Sequence, residues 1–119
     1  MSPMMSLITT IRDNLKITGI PIKSRLPDVT VPEPFIVIGT HFDDDSQSGK
    51  TGKVLTTELQ IDMFYAIDNR AELESTIFDV RNLIYNSTRK ITRVTANTIT
   101  DDSVGRDVFH VVFLVSAYL

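Results

Sequence analysis

The chain has 119 residues, 42% of them hydrophobic and 23% charged, with a formal net charge of −3. That length is a single domain, residues 1–119, with room for a real core, and the composition is that of a folded protein. The absence of cysteine excludes disulfides, thiolate metal sites and a cysteine nucleophile, and the mild acidity gives no electrostatic ground for general nucleic-acid binding.

Pro3 suits the first turn of a helix, and Met4, Ile8, Ile11 and Leu15 follow at helical spacing with Met5 and Leu7 alongside. The spacing predicts an amphipathic helix over residues 3 to 16, ended by Gly19 and Pro21. The same stretch, MSPMMSLITTIRDNL, lacks a basic region, and Thr, Arg and Asp interrupt its apolar residues. It reads as neither a signal peptide nor a membrane span, so a cytosolic product not exported by a cleaved signal is expected. Gly19, Pro21, Pro27, Pro32 and Pro34 crowd residues 17 to 34, a density that no long helix or central strand survives. Ile20, Ile22, Val29 and Val31 leave two readings open there: a short edge strand, or a connector held by a few apolar contacts.

Phe35-Ile36-Val37-Ile38-Gly39 is a compact apolar run of the buried-strand kind. The polar, glycine-containing segment HFDDDSQSGKTGK, residues 41 to 53, reads as a long loop or hairpin tip. In VLTTELQIDMFY, residues 54 to 65, Leu55, Leu59, Ile61, Met63 and Tyr65 share one parity with Thr57, and Thr56, Glu58, Gln60 and Asp62 share the other with Phe64. That alternation predicts a half-buried antiparallel strand. A short turn at residues 66 to 68 leads into the clearest helix of the chain, Asn69 to Asn86. Asn69 is placed to cap it, with Glu72 reaching back to the cap amide. Leu73, Ile77, Val80 and Ile84 form its apolar stripe, flanked by Phe78 and Leu83. Residues 89 to 100, RKITRVTANTIT, read as a strand, and residues 101 to 107 as a turn. The last strand, Val108 to Leu119, is apolar on both parities: Phe109, Val111, Phe113, Val115 and Ala117 on one, Val108, Val112, Leu114 and Tyr118 on the other with His110 and Ser116.

The order predicts an α+β fold, a mixed, largely antiparallel sheet of four to five strands with two helices on one face. Two helices cannot cover both faces. The second apolar face of the last strand needs either another subunit, met through Val112 and Leu114 or through Val111 and Phe113, or the proline-rich connector folded over it.

Motifs with chemistry are few. Ser48-Gly49-Lys50-Thr51 resembles the end of a phosphate-binding loop, but Asp44 stands where that loop needs its first glycine, and a strand follows where a helix should open. Asp43, Asp44 and Asp45 lack calcium-loop spacing, since Ser48 and Val54 occupy the glycine and glutamate places. His41 and His110 have no third ligand at sensible spacing, and no serine sits in a nucleophile elbow. Arg89, Lys90 and Arg93 follow the second helix, where cations complement its C-terminus. No catalytic set, cofactor site or metal site is expected.

Taken in order, the short N-terminal helix, the Pro-Glu-Pro-Phe-Ile-Val-Ile-Gly entry at residues 32 to 39, the loop after it, the strand LTTELQIDMFY, the helix opened by Asn-Arg-Ala-Glu-Leu-Glu and the closing FHVVFLVSAYL resemble the tail terminator (tail completion) proteins of long-tailed bacteriophages, an analogy at fold level. The resemblance implies a hexameric ring that ends tail-tube polymerisation and joins tail to head. Its partners would be copies of itself, the tail tube protein and a head-connector protein, with DNA passing through unbound and no membrane contact. It implies no catalysis, and a place in the virion tail after assembly in the host cytoplasm. Asp43, Asp44, Asp45, Lys50 and Lys53 would then form a partner-binding loop, and Val111, Val112, Phe113 and Leu114 a subunit interface. The rival reading is a small-ligand or regulatory binding domain of ferredoxin-like type, whose first strand would need a helix after it.

Overall fold

A computed structural model describes residues 1–46, 48, 49 and 52–119. The chain runs through α1 (Pro3–Leu15), a 3-10 turn (Lys16–Thr18), β1 (Ile22–Lys23), β2 (Phe35–Asp44), β3 (Thr56–Ala66), α2 (Arg70–Tyr85), β4 (Ile91–Asp101) and β5 (Val108–Tyr118). The strands form one sheet in the order β1-β2-β3-β5-β4. Only β1 runs parallel to its neighbour, and the other pairs are antiparallel. The protein is therefore the expected α+β fold, with a mixed five-stranded sheet and both helices on one face. Among the described residues no helix lies between β2 and β3, so the connectivity departs from the ferredoxin-like pattern.

Pleating sends Leu59, Ile61, Met63 and Tyr65 of β3 and Val111, Phe113, Val115 and Ala117 of β5 to the helix side. There they join Leu7, Ile11 and Leu15 of α1 and Leu73, Val80 and Ile84 of α2 in the main core. The α1 stripe thus centres on Leu7, one residue from the expected Ile8, which packs at the flank with Met4 while Met5 points outward. On α2, Ile77 packs at the edge of the core, but Phe78 is 67% exposed. Phe78 lies five residues after Leu73, too far round the helix to share its face.

The helix ends differ from the expectation as well. Ser2 Oγ accepts the Met5 amide as the cap of α1. Asn69 precedes α2 without capping it through its side chain. Its side-chain Nδ2 instead donates to Glu72, whose other oxygen accepts from Tyr65 OH, so the carboxylate is spent on two side chains and not on the backbone N–H of the cap. Asn14 Nδ2 donates to the Leu83 carbonyl at 2.6 Å, satisfying a last-turn carbonyl of α2 and fastening the two helices together. Gly19 closes the 3-10 turn at φ 74°, the left-handed position at which a side chain is strained.

Strand β2 runs on to Asp44, past the expected end at Gly39. The ladder resumes after an irregularity between Ile38 and His41, and pairs His41, Phe42, Asp43 and Asp44 with Leu59, Glu58, Thr57 and Thr56. Charged residues are accommodated because this half of β2 is exposed, and Thr57 Oγ1 donates to the Asp43 carboxylate at 2.7 Å. A side chain at Gly39 would approach the Gln60 carbonyl to 3.3 Å, which favours glycine at the kink.

Candidate assembly surface

The sheet face opposite the helices is covered at one end only. There Phe35, Val37, Phe64, Val104 and Val108 form a second apolar cluster, with Val31 of the connector laid on it. Phe35 and Phe64 stack at 5.0 Å between centroids. The Arg106 guanidinium holds the cover down: it pairs with Glu33 and donates to the carbonyls of Val29 and Val31. That contact holds the Glu33 carboxyl below the usual carboxylate range, against the opposing effect of burial. The connector and a subunit stood as alternatives for this face. The connector takes the Val108 end, and Val112, Leu114 and Tyr118 stay outside the cover.

Of the four residues expected at an interface, Val111 and Phe113 are fully buried under the helices. Their apolar surface is spent inside the protomer, so the helix-side parity is not available to a neighbour. Val112 and Leu114 lie on the uncovered face, half-buried, with Ile99 44%, Tyr118 47% and Phe42 70% exposed on the same side.

His110 stands on this face between two carboxylates. Its Nε2 lies 2.6 Å from Asp62 and its Nδ1 2.8 Å from Asp101, and its ring stacks on Phe64 at 4.4 Å. Gln60 Nε2 also donates to Asp62. A neutral imidazole has one N–H, and the imidazolium has two. The bond to Asp62 raises the His110 pKa most, burial opposes it, and Asp101 adds to it. Residues from β3, β4 and β5 are thus tied across three strands. Sequence reading found no third ligand for His110 and did not name the residues that satisfy it, because the register that puts Asp62 and Asp101 beside it is a long-range property. The signal available was parity: Asp62 and His110 both fall on the side of their strands opposite the main core.

Of the five residues expected to form a partner-binding loop, four are described, and two of those lie in a strand. Asp43 and Asp44 belong to β2, where Asp43 is bonded to Thr57 and His41 and Asp44 to Ser46. Those bonds hold both carboxyls below their usual range. Asp45 and Lys53 are exposed beyond the strand ends, and Lys50 lies outside the described residues. The long strands stretch the molecule to 53 × 24 × 23 Å.

A groove of about 720 Å³ runs between α2 and the chain after α1. Ile17, Ile20, Pro21 and Leu83 supply apolar lining, and Glu72 and Asp79 carboxylates on the helix side. Among the described residues no group of three or more His, Asp or Glu side chains is arranged to hold a metal ion, and no helix is long and apolar enough to cross a membrane.

The sequence matches no protein-family model. It matches no curated protein. The fold is similar to that of a chain in a structure described as the virion of a native gene transfer agent particle, with a TM-score of 0.60 and 12% identity, over 95% of this chain and 92% of that one. At that identity the likeness is one of fold.

Proposed function

We propose that this chain is a structural virion protein of the tail-terminator type. Copies assemble as a six-membered ring at the head-proximal end of a phage tail tube, stop its polymerisation and join tail to head. The observation that carries the reading is the fold likeness to a chain of a gene transfer agent virion along nearly the whole of both chains. The uncovered sheet face supports it, because half-buried Val112 and Leu114 leave apolar surface there that a neighbouring copy would cover. Surface complementarity is the whole mechanism, with no catalytic step. The segment of residues 46 to 53 meets the tube or the channel, and the partners are further copies, the tail tube protein and a head-connector protein. DNA passes without specific binding, and the protein resides in the virion tail after assembly in the host cytoplasm.

The test is native mass spectrometry with electron microscopy of the purified protein. A six-subunit particle with a central hole is expected, and antibody-bound gold on whole particles should mark the head–tail junction. A stable monomer, or gold on the capsid alone, would overturn the reading. One observation favours a second reading. The groove between α2 and the Ile17–Pro21 segment is of a size that takes a small ligand, and a ligand-binding domain would run as a monomer or dimer.

A further inference from the structure

Strand β4 is an open edge of eleven residues. Its hydrogen-bond directions follow from alternation along the ladder. The Tyr118 amide donates to the Lys90 carbonyl, and β4 and β5 pair Thr95 with Leu114, Asn97 with Val112 and Ile99 with His110. Those residues bond inward, so Val94, Ala96, Thr98 and Thr100 turn their amides and carbonyls outward. The Arg81 bond to the Val94 carbonyl agrees with this direction. Natural edges are usually blunted by proline, lysine or a bulge in mid-strand. Residues 94 to 100, VTANTIT, have no charge and no proline, and the one irregularity lies at the strand's start, between Ile91 and Arg93.

The sheet has a second open edge. β1 covers β2 only at Ile36 and Val37. Phe42 and Asp44 are paired inward to Glu58 and Thr56, and by the same alternation Ile38, His41 and Asp43 turn their backbone groups outward. The two edges run antiparallel to each other, since each step β2-β3-β5-β4 reverses direction.

The register sets what the edges would bring together. Asp44 is level with Thr56, Thr56 with Tyr118, and Tyr118 with Lys90. Phe42 is level with Glu58, Ser116 and Arg93, and His41 with Leu59, Val115 and Val94. Acidic Asp43, Asp44 and Asp45 on one edge therefore stand at the height of basic Arg89, Lys90 and Arg93 on the other. Among the described residues none of those three cations is in an ion pair.

We infer that β4 of one copy pairs antiparallel with the outer half of β2 of the next, His41 opposite Val94, continuing the sheet from subunit to subunit. This inference rests on the ring reading above and names its joint. The contact is head-to-tail, the kind that generates a ring when the rotation closes. Backbone pairing supplies its direction. The Asp43–Asp45 cluster against Arg89 and Lys90 fixes its register. Exposed Phe42 is laid against Arg93.

The chain has no cysteine, so a designed pair reports the joint directly. Counted across the irregularity between Ile91 and Arg93, where β4 carries one extra residue, Asp44 and Lys90 would face each other as a non-hydrogen-bonded pair, with Cα atoms about 4.5 Å apart, inside the range a disulfide spans. Within one protomer they lie three strand spacings apart, about 14 Å, too far to bond. The variant carrying Asp44→Cys and Lys90→Cys should give an oxidised ladder of covalent multimers that neither single variant gives. Charge reversal is the second measurement. Asp43→Lys with Asp44→Lys should reduce the assembly to monomers, and adding Arg89→Glu and Lys90→Glu in the same chain should restore it, each fold checked by circular dichroism. A native-sized ring that gives no ladder and ignores both reversals would overturn the edge pairing and leave the ring reading in place. An unaltered chain that stays monomeric at high concentration would overturn both.

Discussion

Phe113 and Leu114 are neighbours in β5 with opposite fates, and substituting them one at a time tests which face of the strand is core. Phe113 has no exposed surface. Phe113→Ala removes a fully buried ring and leaves a cavity, at a cost of about 3 to 5 kcal/mol. For 119 residues the unfolding entropy is about 0.25 kcal/mol per degree, so the melting temperature should fall by about 12 to 20 °C. Leu114 is half-buried on the uncovered face. Leu114→Ala forfeits about 1 kcal/mol of apolar burial within the protomer, or about 4 °C, and should weaken self-association. The assay is scanning calorimetry at a dilution where both variants have the same subunit count, with sedimentation velocity at higher concentration. Equal losses of melting temperature, or a larger loss for Leu114→Ala, would mean that β5 is slipped by one residue and its two faces exchanged.

Other outcomes follow from particular contacts. Val80→Asp buries an unpaired charge at a fully buried position and should leave the chain unfolded by circular dichroism, whereas Ile77→Asp, at the rim of the core, should retain a cooperative melt at lower temperature. The raised pKa of His110 contributes stability that is complete below about pH 6.5, the ordinary histidine value, and is lost as pH rises through the folded value. The lowered pKa of Asp101 contributes stability present above about pH 4 and lost as pH falls through its folded value. Melting temperature should therefore peak in mild acid and decline toward alkaline pH, and His110→Gln should flatten the alkaline side; parallel curves for the two proteins would refute the bridging role. Arg106→Gln frees the connector from Glu33, Val29 and Val31, so trypsin should cut at Lys23 and Arg25 several-fold faster, and an unchanged rate would mean that the apolar cover holds by itself. Replacing residues 46 to 53 with a short Gly-Ser linker spares the Asp43–Asp45 cluster and the Asp43–Thr57 bond and should leave fold and oligomer intact while abolishing tail joining; normal particles would remove this segment from the mechanism.

The parts of this fold that could be read from sequence are those set by local periodicity. The alternation of Leu59, Ile61, Met63 and Tyr65, the spacing of Leu73, Val80 and Ile84, and the proline density before Phe35 each determine one element through one physical rule. What could not be read depended on register. The extension of β2 through Asp44 needs Thr57 opposite Asp43. The His110 bridge needs Asp62 and Asp101 on flanking strands, and the connector's attachment needs Arg106, 73 residues from Glu33. The apolar pattern of β5 showed that both faces wanted cover. It could not say that a loop would cover one end and leave Val112 and Leu114 outside it.

Strand β5, fifth in chain order, lies between β3 and β4, and this placement governs how the molecule comes to be folded. It pairs along nearly its whole length with both β3 and β4, and β3 and β4 do not pair with each other. Until β5 inserts, the hairpin of β2 and β3 and the unit of α2 and β4 are two fragments with their apolar sides open to water. The step that seals the core is the closure of a long loop, from Ala66 to Val108, so folding should be slow for a domain of this size and all-or-none in character. A half-made sheet would have open edges at β3 and β4 and would be the species most prone to pair with the wrong chain.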